Sequence, residues 1–504
     1  MMLKAIKRFG LCLVGLFLVF LFGGWLWLNP GRGPREQVDP HAKGWSEEIE
    51  GTLVIHLKGT PYEMGYQRGY FAKEKAQLSV EIFEGLLEQA KREMGLPRFA
   101  AHVLLDATYQ LCAPFIPDRY KREMEGVADG SGCDLKMIRR GHVISVLTER
   151  GCSAFAVWGG ATADGKLYHG RNFDWITSAG LEKTAVLALY EPEGFRPFAS
   201  AGYAGLIGVL SGMNMDGISI SQIGAITSDG ALRGLPLEFV LRRILEECSN
   251  LEEVTELVKS VKHTVGFNYV IADGDTPDAR AYETTANHIA IFGPDDPKET
   301  VEYAVRIADA VFRSDEAMDP VVRSLQKCAN APNLPYGSNS YDHRYMGMAS
   351  RIQEHYGAIN AEIALEIVKA TAMRNANLHA VLTNSTDREM WVAHAKNGEN
   401  ASLQPFVHYD LKRLFLPPDQ RPPLEPPAET EETAPEDTSE ALSAALSEDI
   451  PDETQEEARE AATDTAQPDT TEQNGQGEAA VEEAEREREE KEKETASDET
   501  GGTP

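Results

Sequence analysis

The sequence predicts an α+β domain, and three observations indicate this class. Residues 81–149 place apolar side chains at three- and four-residue spacing, which is the period of amphipathic helices. The middle of the chain instead alternates short, β-favouring apolar runs with turn signals. The helical period returns at residues 237–258 and 363–371. Helices therefore flank a strand-rich middle, and we expect them to pack on a sheet.

The central feature of the strand-rich part is a predicted β-hairpin over residues 151–175. Apolar runs lie on either side of an Ala-Asp-Gly turn at residues 163–165, and such a turn favours antiparallel pairing. The hairpin would bring Arg171 and Asp174 back towards Cys152. A thiol, a guanidinium and a carboxylate would then share one end of the hairpin.

This grouping predicts nucleophilic chemistry. If the chain were cut before Cys152, the cysteine would carry a free α-amine with a pKa of about 7.7 to 8.0, against about 8.5 for an ordinary thiol. The amine could then take the thiol proton, so no histidine would be needed. Arg171 would favour the thiolate, and Asp174 would orient the amine and the guanidinium. The alternative is a buried cysteine beside an ion pair at a sheet edge.

A family resemblance rests on the same hairpin. Gly-Cys-Ser at 151–153, followed by Asp-Gly-Lys-Leu-Tyr-His-Gly-Arg-Asn-Phe-Asp-Trp at 164–175, resembles the start of the mature β chain in isopenicillin N acyltransferase-like proteins. These proteins of the penicillin acyltransferase family are N-terminal-nucleophile hydrolases, related to choloylglycine hydrolase and acid ceramidase. The resemblance implies a four-layer αββα sandwich of two antiparallel sheets between helical layers. It also implies self-cleavage before Cys152, with Arg171 and Asp174 as catalytic partners.

The resemblance extends to an oxyanion hole. Choloylglycine-type hydrolases take a donor from an Asn-x-x-Gly turn, which implies Asn214, although a plain hairpin turn is the alternative. Where the resembling proteins usually show Thr-Asn-His, this chain has Asp315, and an ionised carboxylate would repel an oxyanion. Asp315 would therefore stay protonated, or Asn287 or Asn339 would serve, or the enzyme would be slow. On this interpretation Asp315→Asn would raise the rate about 10² to 10³-fold.

Two further segments resemble the family. Residues 338–345 resemble its S-x-x-R-Y segment with one extra residue, so Arg344 would complete the polar network or lie at the start of a surface helix. Residues 59–69 resemble its G-x-x-Y-E-x-G-x-Q-x-G signature. For this signature we expect a role in helix entry and packing.

The first residues predict a membrane anchor. Basic residues at positions 4, 7 and 8 precede an uncharged run at 11–28, whose helical length of about 27 Å approaches the roughly 30 Å of a hydrocarbon core. We predict a short cytoplasmic N-terminus at 1–10, a transmembrane helix at 11–29 and a linker at 30–50, with the catalytic domain periplasmic or extracellular. A cleaved signal peptide is the alternative, although its small-x-small pattern is missing.

The other end of the chain is acidic. We expect the hydrolase domain at 51–416 and a disordered tail at 417–504. Residues 421–504 hold 28 Asp and Glu against 6 Lys and Arg, which supplies most of the formal net charge of -31. Such acidity argues against binding nucleic acid. A solvating tail is the simplest interpretation, and a binding arm for a basic partner is the alternative.

The cysteines and the spacing of possible metal ligands indicate neither a disulfide scaffold nor a metal site. Six cysteines are too few for a disulfide scaffold in 504 residues, although a bridge between Cys112 and Cys133 is conceivable in an oxidising compartment. The sequence holds no CxxC pair, HExxH or other metal spacing, so we predict no cofactor and no metal.

The predicted function is that of a membrane-anchored amidase or acyltransferase of small N-acyl compounds. The resemblance covers about residues 50–415, and Cys152 would form a thioester acyl-enzyme that water or an amine resolves. Two alternatives stay open. One is a phospholipase-like ester hydrolase of the same superfamily. The other is a catalytically weak envelope scaffold, for which Asp315 is the main argument.

Overall fold

The computed structural model describes residues 23–24, 26–95, 97–147, 151–225, 227–326 and 342–422. The chain divides into two units, Met1–Pro423 and Leu424–Pro504. The second unit, with nearly all of the predicted acidic tail, lies outside the described residues, as does Asn339.

The predicted fold class is wrong in its transmembrane helix. Among the described residues, no helix is long and apolar enough to cross a membrane. Only residues 23–24 and 26–29 of the predicted segment at 11–29 are described, far fewer than the roughly 20 that a spanning helix needs. The extracytoplasmic location inferred from that segment stays a prediction. The observed fold is a mixed α/β fold with two large sheets.

The strands of the described residues form two sheets. They are β1 (Trp45–Ile49), β2 (Thr52–Gly59), β3 (Gly151–Gly159), β4 (Gly165–Asp174), β5 (Ala185–Pro192), β6 (Phe198–Tyr203), β7 (Ser211–Asn214), β8 (Ile218–Gly224), β9 (Phe267–Asp273), β10 (Asp278–Thr284), β11 (Ile289–Phe292), β12 (Ala310–Arg313), β13 (Asn377–Asn384), β14 (Glu389–His394) and β15 (Val407–Asp410). One sheet has the order β1-β2-β5-β6-β7-β8-β9-β10-β11, and the other has the order β12-β3-β4-β13-β14-β15. The second sheet therefore contains the predicted hairpin, β3 and β4, at its centre.

The larger sheet is mixed, whereas the sequence predicted two antiparallel sheets. Strands β2 and β5 run parallel, with Val54 opposite Leu187 and Gly59 opposite Pro192. A parallel pair needs a long crossover, and here the whole segment between the two strands, with its helices and the β3–β4 hairpin, provides it. The sequence could not reveal this pairing because the two strands are far apart in the chain.

Helices pack on both sheets. They are α1 (Pro61–Phe71), α2 (Lys73–Met94), α3 (Arg98–Cys112), α4 (Asp118–Ser131), α5 (Leu135–Gly141), α6 (Leu237–Glu247), α7 (Leu251–Ser260), α8 (Pro320–Leu325), α9 (Asp342–Glu354), α10 (Ala361–Ala370) and α11 (Leu411–Leu414). The two sheets meet where β3 and β12 contact β8, β9 and β10, while α10 lies on β4 and β13, and α6 and α7 lie on strands β7 to β10. Strand β3 therefore lies where the two sheets meet.

The helix predicted over 237–258 is two helices, α6 and α7. The break falls at Asn250, whose side-chain Oδ1 accepts from the backbone N–H of Glu253 at 2.9 Å and caps α7. Asparagine favours such an N-cap because its side chain satisfies one of the free N–H groups of the first turn. A local capping signal therefore outweighed the continuous apolar period.

The glycines of the 59–69 signature allow α1 and α4 to pack closely. A side-chain carbon at Gly65 would collide with the Glu123 carbonyl, and one at Gly126 would collide with the Tyr62 carbonyl. The helix begins with a capping box in which Thr60 and Glu63 satisfy each other's backbone N–H groups. The signature thus has the role in helix entry and packing that the sequence predicted.

The folded unit extends beyond the predicted boundaries of 51 and 416. Strand β1 lies inside the predicted linker and pairs with β2. Arg421, in the predicted tail, makes two hydrogen bonds to the Glu47 carboxylate, at 2.7 and 2.6 Å. Because Glu47 lies in β1, the two extensions support each other.

Candidate active site

Cys152 lies near the start of β3, the first strand of the central hairpin. The pairing of β3 with β4 confirms the hairpin and sets Ala154 opposite Arg171 and Gly151 opposite Asp174. Opposed residues of an antiparallel pair share a face, and side chains alternate along each strand. The Cys152 thiol and the Arg171 guanidinium therefore lie on one face of the sheet, and the Asp174 carboxylate lies on the other.

The Cys152 thiol is fully buried and has two side-chain donors beside it. Arg171 Nη2 lies 3.5 Å from Sγ, and Gln222 Nε2 lies 3.6 Å from it. Burial raises the pKa of Cys152, because a buried thiolate loses its hydration, and the charge of Arg171 opposes this rise. The carboxylates of Asp315 and Asp174 raise the pKa further. In the uncut chain the thiol is therefore held protonated.

Arg171 is positioned by a buried polar network. Its Nη1 donates to Ser211 Oγ and to His379 Nε2, the latter at 3.1 Å, and its Nη2 donates to the Gln222 carbonyl at 3.2 Å. Burial, with the charge of Arg171, lowers the pKa of His379 well below its usual value. The ring is therefore neutral, and since Nε2 accepts, Nδ1 carries the proton and donates to Tyr203 Oη at 2.9 Å.

The backbone of Cys152 is held by two ionisable side chains. Its N–H donates to Asp315 Oδ1 at 2.9 Å, and its carbonyl accepts from Arg344 Nη1 at 2.9 Å. Arg344 also donates to Asp315 Oδ2. Burial raises the pKa of Asp315 to about 6, although Arg344 and the Cys152 N–H act to lower it. Asp315 is therefore ionised above about pH 6, where it can accept from the cysteine nitrogen.

Asp174 has a different place from the predicted one. Its buried carboxylate accepts from Arg344 Nη1 at 2.9 Å, from Asn377 Nδ2 at 2.9 Å and from the Met373 N–H at 3.3 Å. Burial raises its pKa, and Arg344 is the strongest opposing influence. The register of β4 sets Asp174 opposite Gly151, so Asp315 takes the contact with the cysteine nitrogen that the sequence assigned to Asp174.

The residues predicted as oxyanion donors are engaged elsewhere. Asn214 donates both amide hydrogens to carbonyl groups at the end of α6, at 3.1 and 2.8 Å, and its Oδ1 accepts from two N–H groups of the turn. It thus closes a plain turn, the alternative that the sequence left open. Asp315 is an acceptor for the Cys152 N–H, and the exposed Asn287 donates to Asp229. The described residues therefore place none of the predicted donors at the thiol.

Four residues of the buried polar network around Arg171 were not predicted from the sequence. They are Tyr203, Ser211, Gln222 and His379. A signal exists for Gln222 and His379, because each is a polar residue within a strand whose residues are all buried. Such a residue needs a polar partner, but the sequence does not say which strand supplies it.

An apolar cavity lies beside strand β4 of the hairpin. It has about 690 Å³ of empty space, part of it open to solvent, and its lining includes Phe173 and Tyr203. Phe173 lies directly opposite Cys152 in the hairpin. Much of the remaining wall consists of aliphatic and aromatic side chains of α2 and α5, namely Val80, Ile82, Phe83, Leu86, Met137 and Ile138. An apolar group bound there would contact the residue that lies opposite Cys152 in the hairpin.

The other cysteines that the structure describes form no bridge. Cys112 and Cys133, between which the sequence allowed a disulfide, are free, and so is Cys248. Within the described ranges of the chain, no group of three or more His, Cys, Asp or Glu side chains could hold a metal ion.

A comparison with family models identifies the segment that follows Cys152. Residues 161–305 match the family described as acyl-coenzyme A:6-aminopenicillanic acid acyl-transferase. The similarity to that family is confined to these residues. The match confirms the resemblance predicted from the sequence, and Cys152 lies just before the matched range.

Similar proteins are found in Dictyostelium discoideum and in Archaeoglobus fulgidus. The chain is 26% identical to the protein dcd1A of Dictyostelium discoideum over 270 residues, which is 48% of this chain and 61% of that protein. It is 22% identical to an uncharacterized protein of Archaeoglobus fulgidus over 352 residues, 63% of this chain and 58% of that protein. The chain thus spans little more than half the length of these relatives.

Solved structures show a weak likeness. A Caenorhabditis elegans ortholog of N-acylethanolamine-hydrolyzing acid amidase has 13% identity and a TM-score of 0.33, covering 47% of this chain and 93% of its own. The penicillin V acylase of Agrobacterium tumefaciens has 11% identity and a TM-score of 0.37, covering 54% and 89%. TM-scores this low support no conclusion about activity.

Proposed function

We propose that this protein is a self-processing cysteine amidohydrolase or acyltransferase that acts on N-acyl amide bonds. The observation that supports it most is the environment of one residue. The sulfur, the N–H and the carbonyl of Cys152 are each contacted by a charged side chain, Arg171, Asp315 and Arg344 respectively. A cysteine kept only for packing has no need of three such partners.

Cleavage between Gly151 and Cys152 would turn the cysteine N–H into an α-amine. The thiol of the uncut chain is protonated, so it needs a base before it can attack an acyl carbon. The released amine, with a pKa of about 7.7 to 8.0, is such a base within the same residue. Arg171 would then favour the thiolate by its charge.

Asp315 and Arg344 are suited to hold the new amine in place. Asp315 Oδ1 already accepts from the Cys152 nitrogen, and a carboxylate can accept equally well from an ammonium group. Arg344 links Asp315 to the Cys152 carbonyl and so fixes the residue at both ends. This arrangement removes the main argument for an inactive scaffold, because Asp315 faces the cysteine nitrogen and not an oxyanion.

The cavity beside β4 supports an apolar acyl group as the part of the substrate that is recognised. Its lining is mostly apolar, which is the usual character of a site for an apolar ligand group. Phe173 lines the cavity and lies opposite Cys152, so we expect an acyl chain in the cavity to direct its carbonyl carbon towards Sγ. Water or an amine would then resolve the thioester.

Self-cleavage tests the proposal directly. We expect the wild-type protein to yield a fragment that begins at Cys152, and Cys152→Ala to remain a single chain without turnover, because the nucleophile is gone. Intact-mass spectrometry and N-terminal sequencing measure both. Cys248→Ala is the matched control, since Cys248 is equally a buried free cysteine but lies outside the site. A full-length wild-type protein that still hydrolyses amides would overturn the proposal.

The cavity makes a separate prediction about the acyl group. Ala204 lines the cavity and is fully buried, so Ala204→Leu would fill part of the space. Taking the cost of overpacking, about 1 to 3 kcal/mol, as the scale for the lost binding free energy, we expect KM for a lauroyl amide to rise about 5- to 150-fold. The acetyl amide of the same fluorogenic amine should change little, so the ratio of the two KM values is the measurement. An unchanged ratio would show that the acyl chain binds elsewhere.

A further inference from the structure

An oxyanion next to Cys152 needs a hydrogen-bond donor, and those candidates for this role that the structure describes do not supply one. Asn214 donates both amide hydrogens to carbonyl groups at the end of α6. Asp315 is an acceptor bound to the cysteine N–H. The oxyanion forms two bonds away from Sγ, so a donor must come from a group that already lies close to the sulfur.

Gln222 has the position and the chemistry for this task. It lies in β8, its side chain is fully buried, and its Nε2 is 3.6 Å from Cys152 Sγ. Its Oε1 is buried and meets no donor in the part of the chain that the structure describes. A buried polar atom without a partner costs about 1 to 3 kcal/mol, so packing alone does not explain a glutamine at this position.

The backbone around Gln222 is held firmly. Strand β8 pairs with β7 on one side and β9 on the other. The Gln222 carbonyl accepts from Arg171 Nη2, the nitrogen that also lies 3.5 Å from Sγ. A thiolate only accepts hydrogen bonds, so it keeps the NH₂ edge of the amide turned towards the sulfur. The donor is thus preorganised before substrate arrives.

We propose that Gln222 Nε2 donates to the oxyanion formed when Cys152 is acylated, with Arg171 Nη2 as a second donor. The inference rests on the proposed function. As the thiolate attacks, the C–S bond forms and the π pair of the carbonyl moves to oxygen. As the intermediate collapses, that pair returns, the C–N bond breaks, and the leaving nitrogen takes the proton that the α-amine received from the thiol. The negative oxygen exists only between these steps, so a donor to it accelerates both.

The test compares two substitutions that differ in their ability to donate. Gln222→Met keeps the approximate size and loses the donor, and we expect kcat/KM for a fluorogenic N-acyl amide to fall about 10² to 10³-fold per processed molecule. Gln222→Glu is acceptor-only when ionised and a donor when protonated. Its activity relative to wild type should therefore rise as the pH falls through the pKa of the introduced carboxyl. A merely structural role would not produce that pH dependence.

Two controls separate this inference from the proposed function. Alkylation of Cys152 by iodoacetamide forms no oxyanion, so Gln222→Met should be alkylated at a rate within about threefold of wild type at a pH where the thiol is ionised. Gln67→Glu changes an equally buried glutamine in α1, remote from the thiol, and should leave the pH profile unchanged.

The outcomes are distinct. Full turnover by Gln222→Met, with Cys152→Ala inactive, would overturn this inference alone, while turnover by Cys152→Ala would overturn the proposed function. If Gln222→Met folds but is not processed, the donor acts already in self-cleavage. Gln222→Glu then decides, because by this inference it matures at about pH 5 and not at about pH 8. Equal self-cleavage of Gln222→Glu at the two pH values would contradict the inference.

Discussion

Asp315→Asn is expected to lower turnover about 10² to 10³-fold, the scale for losing one preorganised electrostatic contact at an active site. The carboxylate of Asp315 accepts from the Cys152 nitrogen and from Arg344. An amide of the same shape cannot balance the charge of Arg344 or of the new α-ammonium, so the nucleophile would lose its alignment. The measurement is kcat/KM per processed molecule on a fluorogenic N-acyl amide.

The pKa of Asp315 also predicts how the rate of turnover depends on pH on the acidic side. Because burial raises the pKa of Asp315 to about 6, the group loses its charge as the pH falls through that value. The α-amine titrates first, with a pKa of about 7.7 to 8.0, and its protonation already slows the wild-type enzyme. A neighbouring α-ammonium would lower the pKa of Asp315, so the wild-type rate should decline a second time at or below about pH 6, and Asp315→Asn should lack this second decline. If Asp315→Asn instead became faster at neutral pH, Asp315 would face the oxyanion after all, as the sequence first suggested.

Arg242→Met is expected to reduce the free energy of unfolding by about 3 to 5 kcal/mol, the cost of breaking a buried ion pair on one side. Arg242 is fully buried and donates to both oxygens of Glu123, at 2.8 and 2.6 Å, and to Glu246 at 2.8 Å. Burial raises the pKa of Glu123 and Arg242 opposes this, so the substitution leaves a buried carboxylate uncompensated. Chemical denaturation followed by circular dichroism measures the loss.

A neighbouring arginine provides the matched control. Arg243 lies on the same helix and pairs with Glu247, but about a quarter of each side chain is exposed, so Arg243→Met should cost no more than about 1 kcal/mol. Glu123 lies in α4, before the proposed cut, and Arg242 lies in α6, after it. Arg242→Met should therefore also let the two fragments separate at lower denaturant concentration. Equal effects of the two substitutions would show that burial of the pair does not matter.

Local signals in the sequence were sufficient for the hairpin that carries the nucleophile. The turn at 163–165 and the apolar runs around it predicted the pairing that places Arg171 beside Cys152. Both the turn and the alternation of side chains depend on neighbouring residues, which is why they can be read without a tertiary structure. The helices of the first part of the domain were predictable for the same reason.

Longer-range placement was not predictable in this way. Asn214 and Gln222 lie close together in the chain, yet the first closes a turn and the second reaches the thiol. The sequence favoured Asn214 because its turn pattern resembles a known donor. Which of the two faces Cys152 depends on how β8 lies across from β3, and that is set by packing between two sheets.

The sequence by itself determined the nucleophile candidate, its arginine partner and the family that the hairpin segment resembles, because these rest on short, contiguous patterns. Only the tertiary structure decided which carboxylate holds the cysteine nitrogen and which amide lies at the sulfur. Asp174 is three residues from Arg171, but strand register turns it to the other face, whereas Asp315 comes from a distant segment beside β12. Contacts of this kind form when separate elements pack together, so the spacing of residues along the chain does not predict them.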